Sequence, residues 1–345
     1  MKRSNIGIIG ATGAVGQEIL ALLEKRDFPL DTIKLFASPS SLGITKRFKN
    51  REISVEILNN NSFDELDIAF FSAGGSISKK YVPIAQRCGC TVIDNSSAFR
   101  MNPSVPLIIP EINSPDMKMH QGIIANPNCA TIIMLMALAP LHKIARIKRI
   151  VVSTYQAASG AGARAMEDLL EETRSHFTNA LYERKVIPFP YAFNLFLHNS
   201  ARYDNDYCEE ELKMIYETHK ILKDENIRIN ATCVRVPVLR AHSESINVEF
   251  YDPIDTATAY QILQESPGIK IVEDRTSNRF PMPSDAVGQD EVICGRIRQD
   301  LSQKNTLDIW VVADQLLKGA ALNAVQIAEI LIQQPLKQVF CDQNI

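Results

Sequence analysis

The sequence predicts an α/β domain built on a parallel sheet, followed by an α+β domain with a more antiparallel sheet. Three observations support this prediction. The chain has 345 residues, which is long for a single domain. Strand and helix patterns alternate through about residue 125, as in a parallel sheet covered by helices on both faces. Beyond that point, stretches such as "ESINVEFYD" alternate between polar and apolar residues, which is typical of strands with one buried face.

Composition argues against several classes of protein. Hydrophobic residues make up 46% of the chain and charged residues 22%, as in ordinary globular proteins. A net charge of −3 gives no sign of a nucleic-acid partner, and no apolar run reaches the ~18 residues that a membrane span needs. The seven cysteines are an odd number without a CxxC pair. We therefore expect a cytoplasmic protein with no metal site and no disulfide scaffold.

The first predicted domain, residues 1–125, begins with the short buried strand "NIGIIG" and the helical stretch "QEILALLEKRD". The second strand is "TIKLFAS", and the third and fourth are "LDIAFFSAG" and "GCTVIDNSS", each ending in small polar residues. These endings place small polar side chains such as Ser72 at one edge of a parallel sheet.

The second predicted domain, residues 126–318, opens with "CATIIMLMALAPL", which is apolar on nearly every side and predicts a buried helix ending at Pro140. A strand in "RIKRIVVSTYQAA" and the amphipathic helix "EEELKMIYETHKILKDE" follow. The last segment, residues 319–345, predicts a long helix that packs back on the first domain.

A glycine pattern between the first strand and the first helix predicts dinucleotide binding in a Rossmann-like domain. Gly10, Gly13 and Gly16 form G-x-x-G-x-x-G. Glycine allows a sharp turn and close approach of a phosphate, and the helix N-terminus presents free N–H groups to it. The alternative is a tight turn without a ligand.

The end of the second strand bears on the choice of cofactor. An NAD site commonly places an acidic residue there to bind the ribose 2′-hydroxyl, but this strand ends "LFASPSSLG". Ser38, Ser40 and Ser41 offer hydroxyls, and Lys46 and Arg47 follow. The missing acid and the nearby bases favour a 2′-phosphate, hence NADP, over a solvated serine loop.

Cys129, in "ANPNCATIIM", is the candidate nucleophile. A thiol at the start of an apolar helix lies in the positive field of the helix N-terminus, which favours the thiolate. Asn126 and Asn128 precede it and can cap the helix or donate to an oxyanion. The alternative is a structural thiol. Beside a dinucleotide site, such a cysteine suits aldehyde oxidation through a thioester.

Other polar residues offer a base and anion contacts. Among the six histidines, His242 follows a strand and lies near Arg235 in the sequence. "DNSSAFR" ends in Arg100, and "TYQAASGAG" follows a strand that carries Gln156. Glu210 and Lys213 share one face of a helix, which could equally be a solvated face. The small-residue loop could equally be a plain turn.

Taken together, the motifs resemble the aspartate-β-semialdehyde dehydrogenase family, whose pattern they follow in order over nearly the whole chain. The matching stretches are "GATGAVG", "DNSSAFR", "NPNCAT", "TYQAASGAG", "EEELKM…ETHKIL", "VRVPVLRAHSES", "DEVICGRIRQD" and "WVVADQLLKGAALNAVQIAE". The resemblance implies a two-domain arrangement like that of glyceraldehyde-3-phosphate dehydrogenase, and a homodimer or tetramer. It also implies an oxidoreductase that reduces β-aspartyl phosphate with NADPH to aspartate semialdehyde and phosphate. This reaction serves lysine or diaminopimelate, methionine and threonine biosynthesis.

The resemblance also implies roles for individual residues. Cys129 matches the nucleophile, His242 the acid/base, and Gln156 the residue that orients the intermediate. Arg235 and Glu210 match the groups that hold the α-carboxylate and α-amine of the substrate, and Arg100, Asn128 and Lys213 match the phosphate site. The expected cofactor contacts are Gly10, Thr12, Gly13, Ala14, Val15, Gly16, Ser38, Ser40, Ser41, Ser72, Ser159, Gly160 and Gln315.

The serine loop departs from the family pattern, which usually reads Ala-Ser-x-Arg-Ser-x-Gly at this point. Ser40 replaces the arginine expected to bind the 2′-phosphate. Use of NAD is therefore an alternative to NADP, and compensation by Lys46 or Arg47 is another.

Two further functions compete with this one. N-acetyl-γ-glutamyl-phosphate reductase uses the same acyl-phosphate chemistry, but its acetylated amine carries no charge and would not need Glu210. A catalytically silent dinucleotide-binding paralogue is expected to lack Cys129, Gln156 or His242, and all three are present.

Overall fold

The computed structural model of the protein describes residues 3–178 and 180–333, which form two compact units. The first unit contains the chain up to Asn128 and the segment that begins at Ala320. The second unit runs from Cys129 to Gly319. No helix in the described ranges is both long enough and apolar enough to cross a membrane.

The strands of the described residues are β1 (Ser4–Ile9), β2 (Leu30–Ala37), β3 (Thr45–Phe48), β4 (Arg51–Ile57), β5 (Ile68–Phe71), β6 (Thr91–Asp94), β7 (Ile123–Ala125), β8 (Ile147–Gln156), β9 (Phe196–Leu197), β10 (Arg228–Arg235), β11 (His242–Phe250), β12 (Ile269–Ile271), β13 (Val292–Gln299) and β14 (Thr306–Ala313). The helices are α1 (Ala14–Lys25), α2 (Gly75–Arg87), α3 (Pro110–Asn113), α4 (Cys129–Ile144), α5 (Ala163–Thr178), α6 (Glu209–Leu222), α7 (Thr256–Glu265), α8 (Pro283–Ala286) and α9 (Leu322–Gln333).

The first unit is built on a seven-stranded sheet in the order β3-β4-β2-β1-β5-β6-β7. Its strands pair in parallel except β3 and β4, which are antiparallel. The central strand β1 is fully buried at Ile6, Ile8 and Ile9. The chain order reverses at β1, because β2 lies on one side of it and β5 on the other. In open α/β sheets, ligands bind at the carboxyl ends of the strands at such a reversal.

The last described helix, α9, packs on this first unit. It contacts α1, where the Arg26 guanidinium binds the Glu329 carboxylate through two hydrogen bonds of 2.7 and 2.8 Å. The Asn323 amide donates to the Ile108 carbonyl at 2.9 Å and to the Asn126 Oδ1 at 2.7 Å. The predicted fold class, including the return of the last helix, is therefore confirmed. Residues 334–345 of the predicted helical segment lie outside the described residues.

The second unit contains a mixed seven-stranded sheet in the order β12-β13-β14-β11-β8-β10-β9. The central strands β14, β11 and β8 are antiparallel, whereas β8 and β10 are parallel. Helices α4, α6 and α7 contact the strands of this sheet. Helix α4 continues through Pro140 to Ile144, so the prediction that Pro140 ends it was wrong. Proline in a helix costs about 3 kcal/mol, and the burial of most of the helix outweighs this cost.

A buried acid in the middle of this sheet has an unusual environment. Glu244, on β11, is fully buried between Val311 and Thr154 of the adjacent strands. Neither of its carboxylate oxygens has a hydrogen-bond partner among the described residues. Burial alone raises the pKa of the Glu244 carboxyl well above 4.5. Burial therefore favours the neutral, protonated form of the side chain.

This environment predicts a pH-dependent stability. As pH rises above 4.5, the unfolded chain loses the Glu244 proton before the folded chain does. The free energy of unfolding therefore falls as pH rises, by up to about 1.4 kcal/mol per pH unit. We expect Glu244→Gln to gain stability relative to the unaltered protein between pH 5 and pH 8, as measured by urea unfolding.

Glu249→Gln is the matched control on the same strand. Its carboxylate binds Lys148 Nζ at 2.6 Å, and this hydrogen bond lowers the pKa of Glu249. The group is therefore ionised in both folded and unfolded chains between pH 5 and 8, and the control should show no pH-dependent gain. A constant difference between Glu244→Gln and the unaltered protein over this range would show that Glu244 titrates normally.

Candidate active site

The glycine loop forms a tight turn between β1 and α1 in the first unit. Gly10 has a φ of +88°, and a Cβ placed on it would lie 2.8 Å from the Ser72 carbonyl oxygen. A Cβ on Gly16 would overlap the Gly10 carbonyl oxygen. The Gly13 N–H donates to that same carbonyl at 3.0 Å, and Gly13 is the N-cap residue directly before α1. Only glycine allows the backbone to pass this closely at positions 10 and 16.

A cavity of about 430 Å³ lies beside this loop, a size that suits part of a dinucleotide. Its wall is lined by Ile9, Gly10, Thr12, Gly13, Ala37, Ser38, Pro39, Leu58, Ser72, Ala73, Ile77 and Tyr81. Most of these residues are apolar, and Thr12, Ser38 and Ser72 are among the predicted cofactor contacts. The glycine loop and the cavity beside it therefore fit a dinucleotide.

The serine loop adjoins this cavity. The Ser38 and Ser40 hydroxyls are 2.8 Å apart, and the Thr12 and Ser41 hydroxyls are 3.2 Å apart. The two bases that could compensate for Ser40 bind other side chains. Lys46 Nζ donates to Gln17 Oε1 at 2.9 Å, and Arg47 Nη2 donates to Asn50 Oδ1 at 2.7 Å.

Arg100 and Asn128, the predicted phosphate contacts of the first unit, are both buried. The Arg100 Nε donates to the Asn126 carbonyl at 2.9 Å, and its Nη2 donates to the Asn95 carbonyl at 2.8 Å. These two backbone bonds fix the plane of the guanidinium. Asn128 is the residue directly before α4.

Cys129 is the first residue of α4 in the second unit and is half-buried. Gly319 lies against it, since a Cβ on Gly319 would be 2.9 Å from the Cys129 Cβ and 3.2 Å from the Gln315 Cβ. A side chain at position 319 would therefore collide with the thiol-bearing residue. Gly319 was not singled out from the sequence, where nothing distinguishes it from an ordinary helical glycine.

His242 is buried at the start of β11, and its tautomer is set by the backbone. Its Nδ1 accepts a hydrogen bond from the Ala157 N–H at 3.0 Å, so the neutral ring carries its proton on Nε2. Burial, with a smaller effect of the Arg235 charge, lowers the pKa of His242 to about 3. The Nε2 edge of the His242 ring faces Gly160, because a Cβ added to Gly160 would lie 3.1 Å from Nε2.

The segment before His242 is held by residues near the end of β14. Ala241 has a φ of +76°, and its N–H donates to Gln315 Oε1 at 3.0 Å. Gln315 Nε2 in turn donates to the Ser159 hydroxyl, which joins two of the predicted cofactor contacts. The fully buried Asp314 accepts from Arg240 Nε at 2.8 Å. Sequence reasoning missed Asp314, because its partner Arg240 is 74 residues away along the chain.

Arg235, the last residue of β10, is 5% exposed. Its Nη1 donates to the Ala157 carbonyl at 3.3 Å, and its Nη2 lies 2.8 Å from His198 Nε2. Its buried Nε has no acceptor at hydrogen-bond geometry, and the buried Tyr191 hydroxyl interacts with the guanidinium. No carboxylate of the described residues forms an ion pair with the guanidinium. A buried cation without a counter-charge is unfavourable. The position therefore suits a bound anion.

Glu210 lies in the first turn of α6 and is 7% exposed, so it does not belong to a solvated helix face. It accepts from Gln156 Nε2 at 3.3 Å and lies 3.5 Å from Lys213 Nζ. The second unit therefore connects Gln156, Glu210 and Lys213. Arg235 and His242 flank Gly160 in the same unit, since a Cβ on Gly160 would be 3.4 Å from Arg235 Nη1.

Two family descriptions match the chain, one to each half. Residues 5–120 match "Semialdehyde dehydrogenase, NAD binding domain", and residues 138–318 match "Semialdehyde dehydrogenase, dimerisation domain". The aspartate-semialdehyde dehydrogenase of Synechocystis sp. is 53% identical over 329 residues, which are 95% of this chain and 97% of the relative. The protein of the same name from Bacillus subtilis is 44% identical over 95% of this chain and 97% of its own length.

Solved structures agree with these matches. Aspartate semialdehyde dehydrogenase II of Vibrio cholerae, in a complex with ASA, superposes with a TM-score of 0.94 at 41% identity. The match covers 97% of this chain and 99% of the Vibrio chain. The Candida albicans enzyme, solved with NADP, is 23% identical with a TM-score of 0.73 over 96% of this chain and 99% of its own, which shows a shared fold. The sequence resemblance is confirmed: the chain belongs to the aspartate-semialdehyde dehydrogenase family of oxidoreductases.

Proposed function

We propose that this protein reduces β-aspartyl phosphate to aspartate semialdehyde and phosphate with NADPH, through a thioester on Cys129. The observation that carries the proposal is the buried guanidinium of Arg235, which flanks Gly160 together with the neutral His242. A small anion with a reactive carbonyl matches this pair, since Arg binds a carboxylate through two hydrogen bonds.

Cys129 is the proposed nucleophile. Its Sγ attacks the acyl carbon of the substrate, a C–S bond forms, and the bond from that carbon to the phosphate oxygen breaks to release inorganic phosphate. Arg100, Asn128 and Lys213 are assigned to the phosphate, as the family resemblance implies. Two backbone carbonyls orient the Arg100 guanidinium before any ligand binds.

His242 is the proposed acid/base, and its environment defines its resting form. The Nε2–H tautomer can donate a hydrogen bond to the carbonyl oxygen of the thioester, where negative charge develops. Proton release from the ring to an alkoxide requires the imidazolium form. Burial is the main cause of the low pKa of His242, and the negative charge of a bound substrate offsets only the second cause, the charge of Arg235.

Arg235 and Glu210 are assigned to the α-carboxylate and the α-amine of the substrate. Each Nη of Arg235 keeps one N–H beyond its hydrogen bond to Ala157 or His198, so a carboxylate can bind there without displacing a protein contact. Glu210 is buried beside Gln156, which places the amide near the substrate to orient the intermediate.

NADP is the proposed cofactor, held by the glycine loop, Ser72 and the serine loop in the first unit and by Ser159, Gly160 and Gln315 in the second. Bound NADPH supplies the hydride that reduces the acyl group. Because Ser40 stands where the family carries arginine, and Lys46 and Arg47 bind other side chains, we expect discrimination against NAD to be weak. A homodimer or tetramer in the cytoplasm, serving lysine or diaminopimelate, threonine and methionine biosynthesis, completes the proposal.

Replacement of Cys129 tests the thioester. We expect Cys129→Ala to lower kcat by on the order of 10³-fold or more, because no other group supplies the nucleophile. The assay is phosphate-dependent oxidation of aspartate semialdehyde, with circular dichroism to check the fold. Cys88→Ala, at an exposed cysteine, is the matched control and should keep full activity. Near-normal turnover by Cys129→Ala would remove the covalent mechanism.

Replacement of Arg235 tests the carboxylate site. Loss of a charge-assisted contact of about 2 kcal/mol predicts a rise in KM of roughly 30-fold in Arg235→Leu, with a smaller change in kcat. Arg228→Leu, at the exposed start of the same strand, is the control and should leave KM unchanged. An unaltered KM in Arg235→Leu would show that the carboxylate binds elsewhere.

Restoring the family's arginine tests the cofactor site. We expect Ser40→Arg to raise the ratio of kcat/KM for NADP to kcat/KM for NAD by about tenfold, because a guanidinium would bind the 2′-phosphate. Ser40→Ala controls for loss of the hydroxyl and should leave the ratio within about twofold. If Ser40→Arg leaves the ratio unchanged, position 40 does not face the 2′-phosphate.

A further inference from the structure

His198 contacts the proposed carboxylate site and is not one of the residues assigned to the reaction. It follows β9, and its N–H donates to the Cys233 carbonyl at 2.8 Å, which fixes its backbone beside β10. Its ring reaches the last residue of β10, since the His198 Nε2 lies 2.8 Å from Arg235 Nη2.

Proton counting determines the tautomer of His198. A guanidinium only donates, so His198 Nε2 accepts from Arg235 and the proton of the neutral ring is on Nδ1. Nδ1 lies 3.1 Å from the Ser200 hydroxyl oxygen, which therefore accepts. The Ser200 N–H lies 3.3 Å from Nδ1, but this contact would require the other tautomer, which Arg235 excludes.

The same hydroxyl reaches the helix that carries the proposed amine site. Ser200 Oγ accepts from the backbone N–H of Glu210 at 3.2 Å. A serine oxygen has two lone pairs, so it can accept from His198 and from Glu210 together. A continuous path of hydrogen bonds therefore joins Arg235, His198, Ser200 and the first turn of α6.

The environment of His198 keeps the ring neutral. Burial is the main cause that lowers the pKa of His198 to about 4, and the positive charges of Arg235 and Lys213 act in the same direction. The carboxylates of Glu210 and Glu211 oppose this effect only in part. At neutral pH the ring therefore stays an acceptor for the guanidinium.

We propose that His198 is a positioning residue that, through Ser200, fixes Arg235 relative to Glu210 and so selects substrates that carry both an α-carboxylate and an α-amine. The inference rests on the proposed function, because it takes Arg235 and Glu210 as the groups that bind these two charges. Without the acceptor at position 198, Arg235 remains charged but is no longer held in one orientation, and the carboxylate loses a preorganised contact.

The test compares His198→Leu, which removes both ring nitrogens, with His198→Gln, whose amide can still accept from Arg235 and donate to Ser200. We expect His198→Leu to raise KM for aspartate semialdehyde about tenfold with kcat changed less, and His198→Gln to stay within about threefold of the unaltered enzyme. Ser200→Ala should move KM in the same direction by a smaller factor. Thermal unfolding midpoints check that each variant folds.

Two further measurements separate positioning from a structural role. With 3-aminopropanal, which lacks the carboxylate, His198→Leu should match the unaltered enzyme. In an Arg235→Leu background, His198→Leu should add nothing to the rise in KM. Additive effects, or equal losses with both aldehydes, would overturn the inference.

The outcome also distinguishes this inference from the proposed function. If Arg235→Leu raises KM and His198→Leu does not, the positioning role is wrong and the carboxylate site stands. If Arg235→Leu leaves KM unchanged, the carboxylate site and the inference that rests on it are both wrong.

Discussion

The buried guanidinium of Arg235 is the constraint on which the second unit's site depends. The side chain is 5% exposed, and among the described residues it has no carboxylate partner. An isolated buried charge is costly unless it is hydrogen-bonded and neutralised. The protein supplies two acceptors for it, the Ala157 carbonyl and the His198 ring. A guanidinium has five N–H donors, so three remain after these two hydrogen bonds. One of them is on Nη1, which faces Gly160, where an added Cβ would lie 3.4 Å away. The folded chain therefore orients donors for an anion before the anion binds.

The Arg235 charge also affects His242, which lies beside it. The backbone of Ala157 binds both residues, because its carbonyl accepts from Arg235 and its N–H donates to His242. One residue therefore orients the guanidinium of the proposed carboxylate site and sets the tautomer of the proposed acid/base. Burial and the nearby positive charge together lower the pKa of His242 to about 3, so the resting ring is a neutral donor. The negative charge of a bound substrate offsets the second of these effects, the charge of Arg235, and so raises the pKa of His242 from this value.

Local patterns predicted the parts of this structure that depend on local physics. The glycine loop, the strand-to-helix turn and the helix that begins at Cys129 follow from neighbouring residues. Burial of Glu210 did not follow, because the spacing of Glu210 and Lys213 is the same on a solvated helix and on a buried one. His198 and Asp314 could not be found at all, since their partners Arg235 and Arg240 lie 37 and 74 residues away. The continuation of α4 through Pro140 likewise depends on packing from outside the helix.

The most direct test of this account is a crystal structure of the protein with aspartate semialdehyde bound, measured by the distances from the ligand to Arg235 and His242. The account predicts the α-carboxylate within hydrogen-bond reach of the Arg235 Nη atoms, about 2.7–3.0 Å. It also predicts the aldehyde oxygen facing His242 Nε2. A carboxylate bound to another cation, with Arg235 unchanged and still without a counter-charge, would contradict it.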